Sequence, residues 1–277
     1  MATVQSLKKK LQVIRSTRKL TQAMKTASTV KYSKLSGLFS AYARYEEQYA
    51  ELYSAFYDEF SASFSAAPAN APVCYIVIGS NKGMCGSFNT ELLSFAIDII
   101  GTGENSIVFT CGKKAAEFFQ KKGIKTEKSY VFSDVPDYTE AGELFSDLKK
   151  LMNEGRLSAV KLIYPEYKNM IKQSPVCRDL FEEGKGSGAK AELLYIPDRE
   201  TVISCAREKV ISCLVYKKIL ETALGAQAAT LTTMRSAFDT ASEYCVTLEA
   251  EINRKRQSQV TADVIEVSAE YAMKGEQ

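Results

Sequence analysis

The chain has 277 residues, 45% of them hydrophobic and 25% charged, with a formal net charge of +3, a composition that suits a globular protein with one sizeable core or two modest ones. Its apolar stretches fall far short of the roughly 20 residues that span a bilayer, and no secretory h-region is visible near its start. Seven widely spaced cysteines without a C-x-x-C pair, and the absence of histidine, argue against a zinc site or a histidine-assisted nucleophile and suit reduced thiols.

All six prolines (Pro68, Pro72, Pro136, Pro165, Pro175 and Pro197) and twelve of the fifteen glycines lie between residues 68 and 197. Because proline costs about 3 kcal/mol inside a helix, the two breaker-poor arms predict long helices flanking a compact middle domain. The N-terminal arm places Val4, Leu7, Leu11 and Ile14 on one stripe. That stripe turns polar at Arg18, Thr21, Lys25 and Ser28, and resumes through Leu35, Leu38, Tyr42, Tyr45, Tyr49, Leu52 and Phe56.

The middle alternates candidate strands (Val73 to Gly79, Ser106 to Cys111, Ala159 to Tyr164, Glu192 to Ile196) with candidate helices (Asn89 to Ile100, Lys113 to Lys122, Thr139 to Asn153). Asn89 and Thr139 are the expected caps. This order predicts a mainly parallel sheet covered by helices. In the C-terminal arm Leu224, Leu231, Phe238, Cys245 and Ile252 recur every seven residues, with Ala228, Ala241 and Leu248 between them. A seven-residue period predicts a supercoiled partner helix, and the N-terminal arm is the expected antiparallel partner, about 75 Å long for about 50 residues. The expected fold class is therefore α/β: an antiparallel coiled coil of long N- and C-terminal helices plus a central Rossmann-like α/β domain. The expected domains are residues 1–67, 68–205 and 206–277.

The stretch G-S-N-K-G-M-C-G-S-F-N (Gly79 to Asn89) follows the first strand but fits neither G-x-G-x-x-G nor G-x-x-x-x-G-K-[ST]. Lys82 precedes its glycine and no Ser or Thr stands ready for magnesium, so a sharp strand-to-helix turn is the expectation. No G-x-S-x-G elbow and no spaced acid pair point to catalysis. Charge is more telling. Nine basic residues (Lys8, Lys9, Lys10, Arg15, Arg18, Lys19, Lys25, Lys31 and Lys34) and no acid occur from Met1 to Ala43, which calls for an acidic neighbour: nucleic acid, an anionic membrane, or a protein surface. A nucleotide-dependent enzyme with dimerising arms is the alternative from another class.

Three motifs then resemble one family, the γ subunit of the F-type ATP synthase. I-R-S-T-R-K-L-T-Q-A-M-K-T-A-S-T-V-K (Ile14 to Lys31) resembles its N-terminal pattern, S-N-K-G-M-C-G-S-F-N (Ser80 to Asn89) is similar to its central glycine loop, and N-R-K-R-Q-S-Q-V-T (Asn253 to Thr261) is similar to its C-terminal signature. M-R-S-A-F-D-T-A (Met234 to Ala241) adds a fourth match. Thr230, Thr240 and Asp263 depart from the residues usual in the family, as does the tail from Tyr271 to Gln277, and the cysteine insertion of the chloroplast form is missing.

The resemblance implies a non-catalytic central rotor shaft that couples ion-driven rotation to ATP synthesis or hydrolysis. It implies contacts with the α and β subunits of the catalytic hexamer, the ε subunit and the membrane c-subunit ring, with no nucleic acid and no cofactor. Met24, Lys25, Cys85, Arg256, Gln257 and Thr261 are the implied β-subunit contacts, Arg256 and Gln257 bonding to a β-subunit loop. Without an Arg- and Ser-rich leader, the cytoplasmic face of a bacterial plasma membrane is expected, peripheral and held through the complex, with the matrix side of the mitochondrial inner membrane as the alternative.

Overall fold

A computed structural model of the chain describes residues 3–56, 71–101, 105–154, 157–180 and 195–274. Two long helices bracket a mixed sheet. Helix α1 runs over Val4–Ala55 and α5 over Arg199–Lys274, the length that arms without proline allow. Asp198 starts α5 by accepting hydrogen bonds from the Thr201 backbone N–H (2.9 Å) and hydroxyl (2.8 Å).

Between them lie β1 (Val73–Ile78), α2 (Phe88–Ile100), β2 (Ser106–Cys111), α3 (Lys113–Lys121), β3 (Lys128–Tyr130), a 3-10 turn (Tyr138–Ala141), α4 (Gly142–Asn153), β4 (Ala159–Tyr167) and β5 (Gln173–Asp179). The sheet order is β3-β2-β1-β4-β5; the first four strands are parallel and β5 is antiparallel to β4. The first three candidate strands and all three middle helices appear within a few residues of their expected ends. The fourth candidate, Glu192 to Ile196, falls outside the described residues except for Tyr195 and Ile196, which lie in no strand. Two caps differ from expectation. Ser87 precedes α2 without a side-chain cap, while Asn89 bonds back into the preceding loop. Asp137, with Glu140, forms the capping box at the turn assigned to Thr139.

The chain divides into two compact units: Met1–Ala27 with Thr233–Gln277, and Ser28–Thr232. In the larger unit one sheet face (Cys74, Ile76, Phe109, Leu162, Tyr164) packs against Leu35 of α1, Val215, Ile219 and Leu220 of α5, and Leu144 and Leu148 of α4. The other face (Val77, Val108, Ile163) is covered by Leu92 and Ala96 of α2 and Ala115 and Phe119 of α3. A sheet buried on both faces explains its near-continuous apolar strands. Here α1 departs from the expected stripe. Leu38 is 39% and Tyr45 43% exposed, whereas Tyr32 and Phe39, outside that stripe, join its members Leu35 and Tyr42 against the core. This part of α1 serves a sheet as well as a helix, and the heptad seam does not describe that geometry.

In the smaller unit Leu7 and Leu11 bury against Cys245 and Ile252, flanked by Val4, Ile14 and Leu248. Arg15 meets Glu249 at 2.7 Å, and the Lys25 ammonium lies 4.9 Å from the centre of the Phe238 ring. Rising numbers on one helix meet falling numbers on the other, so the pair is antiparallel. Each leucine contributes about 1.5–3 kcal/mol through burial, and the polar positions Arg18, Thr21 and Lys25 follow directly after this apolar stretch.

Candidate functional site

The implied contact residues fall into two groups. In the smaller unit Met24 and Lys25 are half-buried, while Arg256, Gln257 and Thr261 are exposed. The Thr261 hydroxyl donates to the Gln257 carbonyl at 2.9 Å, a bond within one helix turn. Beyond Ile252 the side chains of α5 are exposed through residue 269, apart from half-buried Lys255. Val260, Val264 and Val267, each more than half exposed, form an apolar stripe at i, i+4, i+7 spacing. Among the described residues no helix is long and apolar enough to cross a membrane.

Cys85 belongs to the larger unit, in the glycine-rich loop. The loop is held by its own polar groups. Asn89 accepts from the Ser80 N–H (3.3 Å) and donates to the Lys82 carbonyl (3.3 Å) and the Cys85 sulfur (3.1 Å). Asn81 donates to the Phe132 carbonyl and accepts from the Lys113 N–H at 3.2 Å. Met84 and Gly86 both take positive φ, 63° and 61°, which closes the turn and leaves Met84 60% exposed. Phe88 and Cys85 pack on Ala226 of α5, where a Cβ at Gly225 would come within 3.2 Å of the Phe88 ring.

The space beneath the loop is a cavity of about 50 Å³ lined by Gly79, Ser80, Asn81, Lys82, Thr222, Gln227 and Thr230 among others. Ligand pockets run to about 300 Å³ and more, so this cavity is small for a ligand site and large enough for a few waters. Among the described residues the buried Thr222 hydroxyl has no hydrogen-bond partner. Among the described residues no cluster of three or more Cys, Asp or Glu could hold a metal. The loop forms a strand-to-helix turn with Asn89 as its internal brace.

Cys85 is 4% exposed, and burial pushes its thiol above the usual range despite the opposing hydrogen bonds. In the isolated native chain it should therefore alkylate at least about tenfold more slowly than exposed Cys205. Mass-spectrometric timing of iodoacetamide labelling checks this; equal rates would mean that the loop opens freely.

Sequence reasoning passed over Asp134, which bonds to both Lys31 and Lys82, and Gly112, at φ 98° directly before α3. Gly112 was open to detection as a glycine between a strand and a helix. Asp134, one acid in an irregular segment, carried no local signal.

A pair of long antiparallel helices with a mixed sheet between them in sequence defines the central-stalk fold. A mitochondrial ATP synthase structure from Euglena gracilis, described as OSCP/F1/c-ring in rotational state 3, contains a chain that matches with a TM-score of 0.69 at 16% identity, over 95% of this chain and 92% of that one. The family model described as ATP synthase matches residues 3–271. ATP synthase gamma chains from Rubrobacter xylanophilus (29% identical, covering 97% of each chain) and Pelotomaculum thermopropionicum (27%, 96% of this chain and 97% of the other) are similar along their whole length. The chain belongs to the ATP synthase gamma-chain family, and its role is that of the central rotor shaft.

Proposed function

We propose that the shaft performs no bond chemistry and works by presenting an asymmetric surface to three catalytic β subunits in turn. Rotation driven by ions passing the membrane ring changes which face each β subunit meets, and a contact that differs between two states shifts the balance between them. The observation that carries this reading is the antiparallel pair built on Leu7, Leu11, Cys245 and Ile252, a stiff element that exposes side chains such as Arg256 and Gln257 to solvent. The exposed valine stripe on α5 suits a sleeve of α and β subunits. The basic first turns of α1 suit acidic segments at the base of the β subunits, where half-buried Met24 and Lys25 would slide rather than lock.

In this reading residues 1–67 and 206–277 form the shaft and residues 68–205 the domain that meets the ε subunit and the c-subunit ring. The protein sits peripherally on the cytoplasmic face of a bacterial plasma membrane through those partners. Cys85 meets a β subunit through the surface of its loop, while its thiol stays inside. Arg256 and Gln257 bond to a β-subunit loop, the planar guanidinium fixing one orientation of a carboxylate or carbonyl pair, and Thr261 adds a contact one turn further on.

Native mass spectrometry of the complex tests the assembly: the chain should travel with a hexamer of larger nucleotide-binding subunits, and recovery as a stand-alone ATPase would refute the reading. Arg256→Ala should change the stability of the free chain by less than about 0.5 kcal/mol, because the side chain is exposed. It should nevertheless lower ATP-driven ion pumping per ATP hydrolysed. A melting shift with unchanged coupling would contradict the assigned role.

A further inference from the structure

The segment from Phe132 to Pro136 is held by both long helices and by the glycine-rich loop. On the α1 side, Lys31 bonds to the Asp134 carboxylate, and Lys82 of the loop meets the same carboxylate oxygen at 2.6 Å. On the α5 side, the Tyr216 hydroxyl donates to the Pro136 carbonyl at 3.0 Å. The segment is stiffened from within: Glu140 accepts from the Ser133 N–H at 2.6 Å and from its hydroxyl at 2.8 Å, and Asn81 donates to the Phe132 carbonyl. Burial raises the affinity of Asp134 for a proton, but the two ammonium groups outweigh it and keep the carboxyl below the usual carboxylate range.

The Asp134 pairs lie at a partly exposed site, with side-chain exposures of 36% for Lys31, 70% for Lys82 and 21% for Asp134. Such pairs contribute little to folding. Their geometry is more informative than their strength. Interdigitated apolar packing of α1 and α5 on the sheet supplies most of the cohesion, and a carboxylate gripped by two ammonium groups adds a directional contact at one position. We propose that Asp134 is a positioning residue, the clasp of a crosspiece that ties α1 and α5 to the sheet domain so that the helices and domain turn together under load. This rests on the rotor-shaft reading.

The test uses the assembled enzyme with a probe on the chain, with the hexamer fixed to a surface. Asp134→Asn removes the charge and keeps the shape. It should leave ATP hydrolysis and the melting of the free chain close to wild type, broaden the angular distribution of each dwell, and lower pumping per ATP by about twofold or more. Asp134→Glu should restore both. Lys31→Met, which removes only the α1 limb, should broaden the same distribution. If Lys31→Met leaves dwell width and coupling at wild-type values, the clasp is refuted, whatever Asp134→Asn does. A wild-type chain that does not turn in the hexamer would refute the rotor reading itself, so the two failures are distinguishable.

Discussion

Glu221→Ala is expected to destabilise the larger unit by about 3–5 kcal/mol, the range for removing one partner of a buried ion pair. Glu221 is 5% and Lys218 7% exposed. One carboxylate oxygen accepts from the Tyr167 backbone N–H at 2.9 Å, and the other lies 3.4 Å from the Lys218 ammonium. That ammonium also lies 4.6 Å from the centre of the Tyr164 ring. Truncation takes the counter-charge from a buried cation and the acceptor from a strand N–H together, where α5 crosses the end of β4. Glu221→Gln keeps an acceptor for Tyr167 and should cost less. Urea unfolding of the complete chain measures both; an alanine variant within 1 kcal/mol of wild type would mean that water reaches the pair.

Gly112→Val should be comparably severe, at about 3 kcal/mol or more, or should prevent folding. At φ 98° the backbone is in a region that side chains with a Cβ rarely adopt. A Cβ there would lie 2.5 Å from the Gly79 carbonyl oxygen and 2.9 Å from that of Ser80. These are backbone atoms of the glycine-rich loop, where Gly79 donates to the Cys111 carbonyl at 2.8 Å, so they have little freedom to withdraw. Gly83 is the control. A Cβ added to it meets nothing within 4 Å, and Gly83→Ala should stay within about 0.5 kcal/mol. Equal effects at the two glycines would mean that the strain at Gly112 is relieved by movement of the loop.

What could be read in advance follows from which interactions are local. Proline and glycine placement is a local property of the backbone, and it marked both long helices. The antiparallel partnership was legible because Leu7, Leu11, Cys245 and Ile252 repeat at seam spacing in both arms. The register failed at Leu38 and Tyr45, where α1 turns its other residues to a sheet that a two-helix repeat cannot represent. Strand β5 escaped because Q-S-P-V-C-R-D lacks alternation and contains Pro175, which stands opposite Pro165 at the sheet edge, where proline is tolerated. The extension of β4 past Pro165 was hidden for the same reason, and β3 is only three residues long. In the glycine loop the turn was legible. Its closure by Asn81, Asn89 and Asp134 was not, because Asp134 meets Lys31 across 103 positions of sequence.

The central claim is that the chain is a rotor shaft, and direct observation of its rotation tests it. With the hexamer fixed and a bead attached to the larger unit, supplying ATP should produce one-way stepping, with dwells repeating once per catalytic β subunit. A bead that remains stationary while the same complexes hydrolyse ATP would contradict the account.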